Sequence, residues 1–183
     1  MINFRIIARV FSLIIIIEGL FMLLSAGVSL LYGEKVTLLY CSIITIVTGV
    51  LVFTPLRNEE KLSGQKEGYI ILSGIWILLS LFGTLPYLLS GTTSSFGDAF
   101  FESISGFTTT GATIITNIES QPRGLLFWRS LTQWMGGLGF IVISLSVLQV
   151  VKNINVQLPR IITVFTRSST FVAIISLPQR KSL

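Results

Sequence analysis

The stretch Ser105–Thr113, SGFTTTGAT, decides how the rest of the sequence is interpreted. It is a run of hydroxyl residues around one glycine, and it lies between long apolar segments. Irregular backbone survives at membrane depth only where it is buried in protein or lines a water-filled path. The stretch is therefore either a solvated connector outside a membrane or a functional loop within the membrane. Composition alone favours the connector.

The composition indicates an integral membrane protein. Of the 183 residues, 51% are hydrophobic and 11% are charged, and the mean hydropathy is +0.83. A soluble domain of this size carries more charge on its surface. The net charge of +5 comes from Lys and Arg in short clusters between apolar runs. Such clusters are typical of loops beside a lipid bilayer and argue against a nucleic-acid partner.

The residue types exclude several kinds of chemistry. The sequence has no histidine, and Cys41 is its one cysteine. A His-ligated metal site, a Ser-His or Cys-His catalytic pair and an intrachain disulfide are therefore excluded. No pair of acidic residues converges within an apolar run, so we expect neither an enzyme nor a cofactor. Cys41 lies in an apolar run, where a lipid-facing or packed side chain is expected.

Four apolar runs approach or exceed the length of about 20 residues that a helix needs to cross a bilayer core about 30 Å thick. They are Val10–Leu31, Val36–Phe53, Gly68–Ser90 and Leu125–Val151. The first run follows two arginines, as a signal-peptide core does, but it is longer than such a core and contains Glu18, so we expect a retained helix. Glu18 is an ionisable group at membrane depth without an identifiable partner, and its role stays open.

Lys and Arg are distributed unevenly over the two sides that these runs define. With a cytoplasmic N-terminus, ten of the 13 basic residues fall on the cytoplasmic side, and the other three are Lys35, Arg123 and Arg129. This excess predicts that the N-terminus is cytoplasmic. The segment 91–124 is then on the outer side, between the third and fourth apolar runs.

Within that segment, Asp98–Gly106, DAFFESISG, has the pattern of a short helix. Its large apolar residues recur at helical spacing, its acids lie in the first turns and its last glycine can end the helix. At about 14 Å it cannot cross a membrane. It either lies on the surface or enters the membrane and turns back, and in the second case its C-terminal end favours a cation at that depth.

In the second case the chain returns through Phe107–Thr113 in irregular backbone. Carbonyl oxygens stacked along such a segment can replace the hydration shell of a cation, as they do in potassium-channel filters. A glycine permits the backbone angles that aim successive carbonyls in one direction, and threonines add hydroxyl oxygens and stiff rotamers.

The segment Phe100–Leu148, FFESISGFTTTGATIITNIESQPRGLLFWRSLTQWMGGLGFIVISLSVL, resembles the first pore unit of TrkH-type subunits of bacterial potassium uptake systems, in the wider Trk/Ktr/HKT superfamily. The short helix, SGFTTTGAT, LLFWRS and QWMGGLGF follow one another in the order and at the spacing of that family. The likeness extends over about 1–148. It implies an all-α integral membrane fold, in which a transmembrane hairpin precedes a unit of helix, re-entrant pore helix with filter loop, and helix.

The resemblance also implies the organisation of the chain. The hairpin is expected at 1–56, a cytoplasmic linker at 57–67 and the pore unit at 68–152. Within the pore unit the expected elements are an outer helix at 68–90, a pore helix at 98–106, a filter at 107–113 and an inner helix at 125–151. The basic tail at 153–183 does not match the family, and Arg167 in the middle of its apolar part argues against a fifth span.

The function implied by the resemblance is potassium uptake across the inner, cytoplasmic membrane of the cell. The carbonyl oxygens of Thr109, Thr110 and Gly111 would coordinate the ion, with Thr108, Ala112 and Thr113 flanking them. Potassium is then the substrate, and a cytoplasmic nucleotide-binding regulatory subunit is the implied partner. The choice between potassium and sodium is left open by the sequence.

The chain departs from the family in the number of its pore units. Four homologous units on one chain supply the ring of carbonyls in the family, whereas this sequence contains one Gly-centred filter. A truncated or frame-shifted gene, or a fragment, would have this appearance. Either four copies assemble or the chain does not conduct by itself. The alternative function is that of a non-conducting membrane interaction protein that associates with a full-length transporter.

Two further features have more than one interpretation. Arg129 either snorkels to the membrane interface or pairs with Glu119 or Glu102 near the pore mouth, where these acids could also attract cations. The last apolar run contains three glycines that permit close approach of a neighbouring element, act as a hinge, or have no special role, since membrane helices are richer in glycine. They are Gly136, Gly137 and Gly139.

Overall fold

The structure is a computed structural model that describes residues 4–57 and 65–153. In these residues the chain folds into helices joined by short turns and one long loop. The helices are α1 (Phe4–Leu31), α2 (Thr37–Phe53), α3 (Gln65–Gly83), α4 (Leu85–Ser90), α5 (Phe96–Phe107) and α6 (Arg123–Asn153), with a 3-10 turn at Thr54–Leu56. These described ranges contain no strand. Most of the predicted linker, at 58–64, and the predicted tail, at 154–183, lie outside the described residues. The chain divides into two compact units, Met1–Ile143 and Ser144–Leu183.

Within the described residues, three helical segments are long and apolar enough to cross a membrane. They are Phe4–Leu31, Thr37–Leu56 and Gly68–Ser90. Large apolar side chains on them are exposed, for example Leu51 (68%) and Leu24 (58%), as expected of surfaces that face lipid. The predicted fold class, an all-α integral membrane protein, is confirmed. The fourth predicted span, 125–151, falls within α6 and continues beyond the described side chains, so it stays a prediction.

Helices α1 and α2 form an antiparallel hairpin held together at two glycines. A Cβ atom on Gly19 would lie 2.5 Å from Ile46 Cγ1, and one on Gly49 would lie 2.7 Å from Ile16 Cγ1. Small residues at these positions let the two backbones approach closely, which is how helices associate in lipid. Cys41 is fully buried in this hairpin, so its side chain is packed in the protein and does not face lipid.

The predicted outer helix at 68–90 coincides with the membrane-length segment Gly68–Ser90, which a one-residue turn at Thr84 divides into α3 and α4. Pro86 explains the division, since it has no N–H to donate to the carbonyl four residues earlier. The Thr84 hydroxyl donates to the carbonyl of Ser80 at 2.6 Å, one turn before the division. Helix α3 also begins earlier than predicted, at Gln65.

Helix α5 contains the predicted pore helix at 98–106 and is longer at both ends. Its N-cap is Ser95, whose hydroxyl accepts a hydrogen bond from the N–H of Asp98 at 3.1 Å. A serine followed by an acid three residues later is typical of a helix N-terminus. The positions of the acids alone do not show where this helix begins. The face of α5 that includes Ala99, Glu102 and Ser103 is buried.

The C-terminal end of α5 reaches the middle of the helix bundle. Phe107, the last residue of α5, is fully buried and contacts Gly136 on α6 and Gly83 on α3. Gly136 is 13 residues after the start of α6 at Arg123, and Gly83 is 7 residues before the end of α4 at Ser90. At a rise of about 1.5 Å per residue, α5 ends about 10–20 Å inside the bundle. This is mid-depth for a bilayer core about 30 Å thick.

Candidate functional site

The residues after α5 form a turn in which one threonine has left-handed backbone angles. The N–H of Thr110 bonds to the carbonyl of Ser105 at 3.0 Å, and the N–H of Thr109 bonds to the carbonyl of Gly106 at 2.9 Å. This pair of bonds is the Schellman ending of a helix, which places one residue in the left-handed region. That residue is Thr109, with φ +57°, although a β-branched residue disfavours such angles.

The predicted filter at 107–113 therefore needs a correction at its start. Phe107 is the last residue of α5, and Thr108 and Thr109 form the turn, so irregular backbone begins only at Thr110. The cause is the set of helix-ending bonds, which add Phe107 to α5 and hold Thr108 and Thr109 in the turn that ends it. Gly111 follows with φ +73°, an angle that glycine adopts at little cost. The side chains from Thr108 to Thr113 are exposed in this chain.

The carbonyl oxygens of the loop divide into two groups. The Ala112 carbonyl accepts a hydrogen bond from the Ser105 hydroxyl at 2.6 Å, and the Gly111 carbonyl accepts one from Arg129 Nη2 at 3.3 Å. No hydrogen bond to the carbonyls of Thr108, Thr109, Thr110 or Thr113 occurs in the described part of the chain. These oxygens are therefore available to a ligand, and those of Thr109 and Thr110 are among the predicted ligands.

The threonine hydroxyls of the loop are held by hydrogen bonds. Thr108 donates to the Ile104 carbonyl at 2.7 Å, and its hydroxyl lies 2.9 Å from that of Thr110. The Thr113 hydroxyl donates to Glu102 Oε1 at 2.6 Å. These bonds fix the side chains on either side of Gly111 and so limit the conformations of the loop.

Glu102 anchors the loop where it leaves the end of α5. The side chain is 1% exposed, and Oε1 accepts from the N–H of Ile114 at 2.5 Å as well as from Thr113. Its Oε2 forms an ion pair with Arg129 Nε at 3.4 Å. A buried carboxylate needs such partners, because an unpaired charge in the interior is costly. Of the two interpretations of Arg129, pairing with Glu102 is the one that the structure contains.

The three glycines of α6 have different surroundings. A Cβ atom on Gly136 would collide with the carbonyl group of Phe107, so this glycine permits α5 to end against α6. A Cβ atom on Gly139 would make ordinary contact with the Trp76 ring at 3.5 Å, and one on Gly137 would meet open space. Close packing therefore explains Gly136, the glycine nearest to the filter loop.

A carboxylate from the hairpin caps the start of α6. Glu34, in the turn between α1 and α2, accepts hydrogen bonds from the N–H groups of Arg123 and, at 3.0 Å, Gly124. The first N–H groups of a helix lack partners within the helix, and negative charge is favourable there. The Ser25 hydroxyl of α1 adds a bond to the Gly124 carbonyl at 2.8 Å. Glu34 was missed by sequence reasoning because the two ends of this contact are 89 residues apart.

The arrangement of these elements is that of a known family of membrane proteins. The family model described as "TrkH: Cation transport protein" matches residues 34–160. This chain belongs to the TrkH family. The family predicted from SGFTTTGAT and its flanking segments is therefore confirmed.

Individual TrkH relatives match most of the chain. The Trk system potassium uptake protein TrkH of Halomonas elongata is 37% identical over 149 residues, which are 80% of this chain and 31% of that protein. An uncharacterized cation transporter of Methanocaldococcus jannaschii is 38% identical over 136 residues, which are 74% of this chain and 28% of that protein. This chain thus spans about a third of the length of its curated TrkH relatives.

A solved TrkH structure has the same fold. The crystal structure of the potassium transporter TrkH from Vibrio parahaemolyticus matches with a TM-score of 0.77 at 33% sequence identity. The match covers 96% of this chain and 38% of that one. The order of hairpin, broken helix, short buried helix, loop and long helix described above is therefore a TrkH arrangement.

Proposed function

We propose that this chain forms one pore unit of a potassium uptake system in the inner membrane, with its N-terminus in the cytoplasm. The observation that carries the proposal is the pair of carbonyl oxygens on Thr109 and Thr110, which have no donor among the described residues and follow a helix that ends at mid-depth. Relatives over most of the chain are named potassium uptake proteins. The excess of Lys and Arg on one side supports the orientation.

Coordination in this unit replaces water by main-chain oxygens. The carbonyls of Thr109, Thr110 and Gly111 are the proposed ligands, and the C-terminal end of α5 adds a favourable potential for a cation. Arg129 shares the Gly111 carbonyl, so we assign this oxygen a weaker part in binding than the other two. The Ala112 carbonyl, which accepts from Ser105, flanks the site together with Thr108 and Thr113.

A complete ring of ligands needs further pore units. The side chains of Thr108–Thr113 are exposed in the single chain, so one side of the loop is open for other copies or for a full-length relative. A cytoplasmic nucleotide-binding regulatory subunit is the further partner that we propose. A non-conducting role as an interaction protein on a full-length transporter is the second candidate, and the same open side of the loop favours it.

Rubidium uptake tests the proposal directly. The chain is expressed in a bacterial strain that lacks its own potassium uptake systems, and its insertion is verified in isolated membranes. Uptake that potassium competes for supports transport by copies of this chain alone. Insertion without uptake rejects transport by the chain alone. Co-purification with a co-expressed full-length relative then supports the second candidate, and its absence rejects it.

A further inference from the structure

Glu18 is a buried acid that makes none of the contacts described for the filter loop. It lies in α1, in a segment apolar enough to cross a membrane, and its side chain is 0% exposed. Neither of its carboxyl oxygens has a hydrogen-bond partner in the described part of the chain. A polar group in this position is costly unless a partner is supplied, and intramembrane acids commonly have a role.

A second oxygen without a partner faces the same space from the pore helix. A Cβ atom on Gly83 would lie 2.5 Å from Ser103 Oγ and 3.3 Å from Glu18 Oε1. Both oxygens are therefore directed to the space that the missing side chain of Gly83 leaves. Ser103 is 0% exposed, and its hydroxyl also lacks a hydrogen-bond partner in the described residues. The ring of Phe107 closes this space, with Cε2 at 2.7 Å from the same Cβ position.

Among the residues whose side chains the structure describes, no basic group is a hydrogen-bond partner of the Glu18 carboxyl. Arg9, the nearest basic residue on α1, is about 14 Å away along the helix and lies over the Phe53 ring at 5.9 Å. Arg129 is paired with Glu102. The titratable residues with described side chains on helices α2 to α5 are all acidic or neutral. They are Tyr40 and Cys41 on α2, Tyr69 on α3, Tyr87 on α4, and Asp98 and Glu102 on α5.

From these contacts we infer that Glu18 is a neutral carboxylic acid that donates its O–H to Ser103 Oγ and fastens the N-terminal hairpin to the pore helix. A protonated carboxyl supplies the donor that an ionised one lacks, and a hydroxyl accepts it. The hydrogen bond forms by rotation of one of the two side chains into the space beside Gly83, which both oxygens border. The bond satisfies two buried groups at once and requires no counter-ion.

This hydrogen bond makes Glu18 a positioning residue for the filter loop. Ser103 lies two residues before Ser105, whose hydroxyl holds the Ala112 carbonyl, so the turn of α5 that carries the loop is fixed against α1. The importance for ion passage rests on the proposed function. The hydrogen bond itself does not, because it forms in the folded chain whether or not potassium passes.

Infrared difference spectroscopy on the membrane-inserted chain tests the hydrogen bond at neutral pH. The spectrum of the unaltered chain minus that of Glu18→Gln should contain the carbonyl stretch of one protonated carboxylic acid. In Ser103→Ala this band should move to higher frequency, because the acid loses its acceptor. A carboxylate band in place of the acid band, or an acid band that Ser103→Ala leaves unmoved, would overturn the inference.

A thermal unfolding series separates the hydrogen bond from simple packing. Glu18→Gln retains an N–H donor for Ser103 and should keep the melting temperature of the unaltered chain, whereas Glu18→Leu should lower it. Ser103→Ala should lower the melting temperature in the unaltered chain but not in Glu18→Leu. Equal losses from Ser103→Ala in both backgrounds would contradict the bond. These readouts do not depend on rubidium uptake, so failure of the proposed function leaves them valid.

Discussion

At the scale of single residues, the filter loop depends on a carboxylate that lies outside it. Glu102 binds the loop through Thr113 and Ile114 and holds Arg129, which in turn donates to the Gly111 carbonyl. Hydrogen bonds to a charged group are about twice as strong as those between neutral groups. The shape of the loop is therefore set from its buried side, while its open side is left for an ion.

Substitutions of Glu102 and of Arg129 should lower the free energy of unfolding by different amounts. Arg129→Met leaves the fully buried Glu102 carboxylate unpaired, and we expect it to lower the free energy of unfolding by about 3–5 kcal/mol. Glu102→Gln keeps the shape and leaves an arginine that is 17% exposed, so we expect a smaller loss of about 1–3 kcal/mol. The double variant should show coupling of about 0.5–3 kcal/mol in denaturant unfolding.

Glu119→Gln is the matched control for this cycle, because Glu119 is an exposed acid on the same loop. We expect its effect to stay within about 0.5 kcal/mol, as is usual for surface substitutions. Additive losses in the double variant, or a loss in Glu119→Gln as large as that in Glu102→Gln, would contradict the structural ion pair.

Two of the glycines with left-handed backbone angles, Gly111 and Gly91, allow the effect of backbone strain to be distinguished from an effect on the filter. Their φ angles are +73° and +74°, so an alanine at either position should cost about 1–2 kcal/mol. Gly111→Ala should in addition reduce rubidium uptake, because it redirects a carbonyl next to the proposed ligands. Gly91→Ala should leave uptake unchanged at equal expression. Equal uptake in both variants would contradict the assigned ligand positions.

At the scale of the elements, the contact between α5 and α6 depends on a missing side chain. Gly136→Ala places a methyl group against the Phe107 carbonyl, and we expect a loss of about 1–3 kcal/mol from this overpacking. Gly137→Ala is the matched control, because it is adjacent and faces open space. It should be neutral or stabilising by up to about 1 kcal/mol, since alanine favours helix over glycine. Thermal unfolding of both variants in detergent measures the difference.

The hairpin and α6 are joined by a cap that is supplied from a distance. Glu34→Ala should lower the free energy of unfolding by about 0.5–2 kcal/mol, as the loss of an N-cap does. The amides of Arg123 and Gly124 should lose their protection in hydrogen exchange, because they lose their acceptor. Lys35→Ala, at the exposed neighbouring position, should leave both amides protected. Protection that survives in Glu34→Ala would contradict the cap.

At the scale of the whole molecule, the predicted orientation can be tested with single cysteines. Cys41 is fully buried, so the unaltered chain should give little background labelling with a maleimide. Asn117 and Arg57 are exposed at opposite ends of the bundle. An impermeant maleimide added to intact cells should label Asn117→Cys and not Arg57→Cys. The reverse pattern would overturn the predicted cytoplasmic N-terminus, and labelling of both after membrane disruption controls for access.

Much of this protein follows from properties that are local in the sequence. Run length and hydropathy determine which segments suit a membrane, because each residue contributes to them independently of its neighbours in space. The short helix and SGFTTTGAT are local patterns as well, and they led to the family. The boundaries were less accurate, since Ser95 and the helix-ending bonds of Thr109 and Thr110 extend α5 beyond its apolar pattern.

Only the tertiary structure decided which groups meet. Three contacts join segments that are far apart in the chain. Arg129 pairs with Glu102 and not with Glu119, Glu34 caps α6, and Gly136, unlike Gly137, packs against α5. The same holds for Glu18, whose surroundings depend on α3 and α5. The physical reason is that a residue's own helix specifies its face and depth, while its partner depends on how the other helices pack against that face.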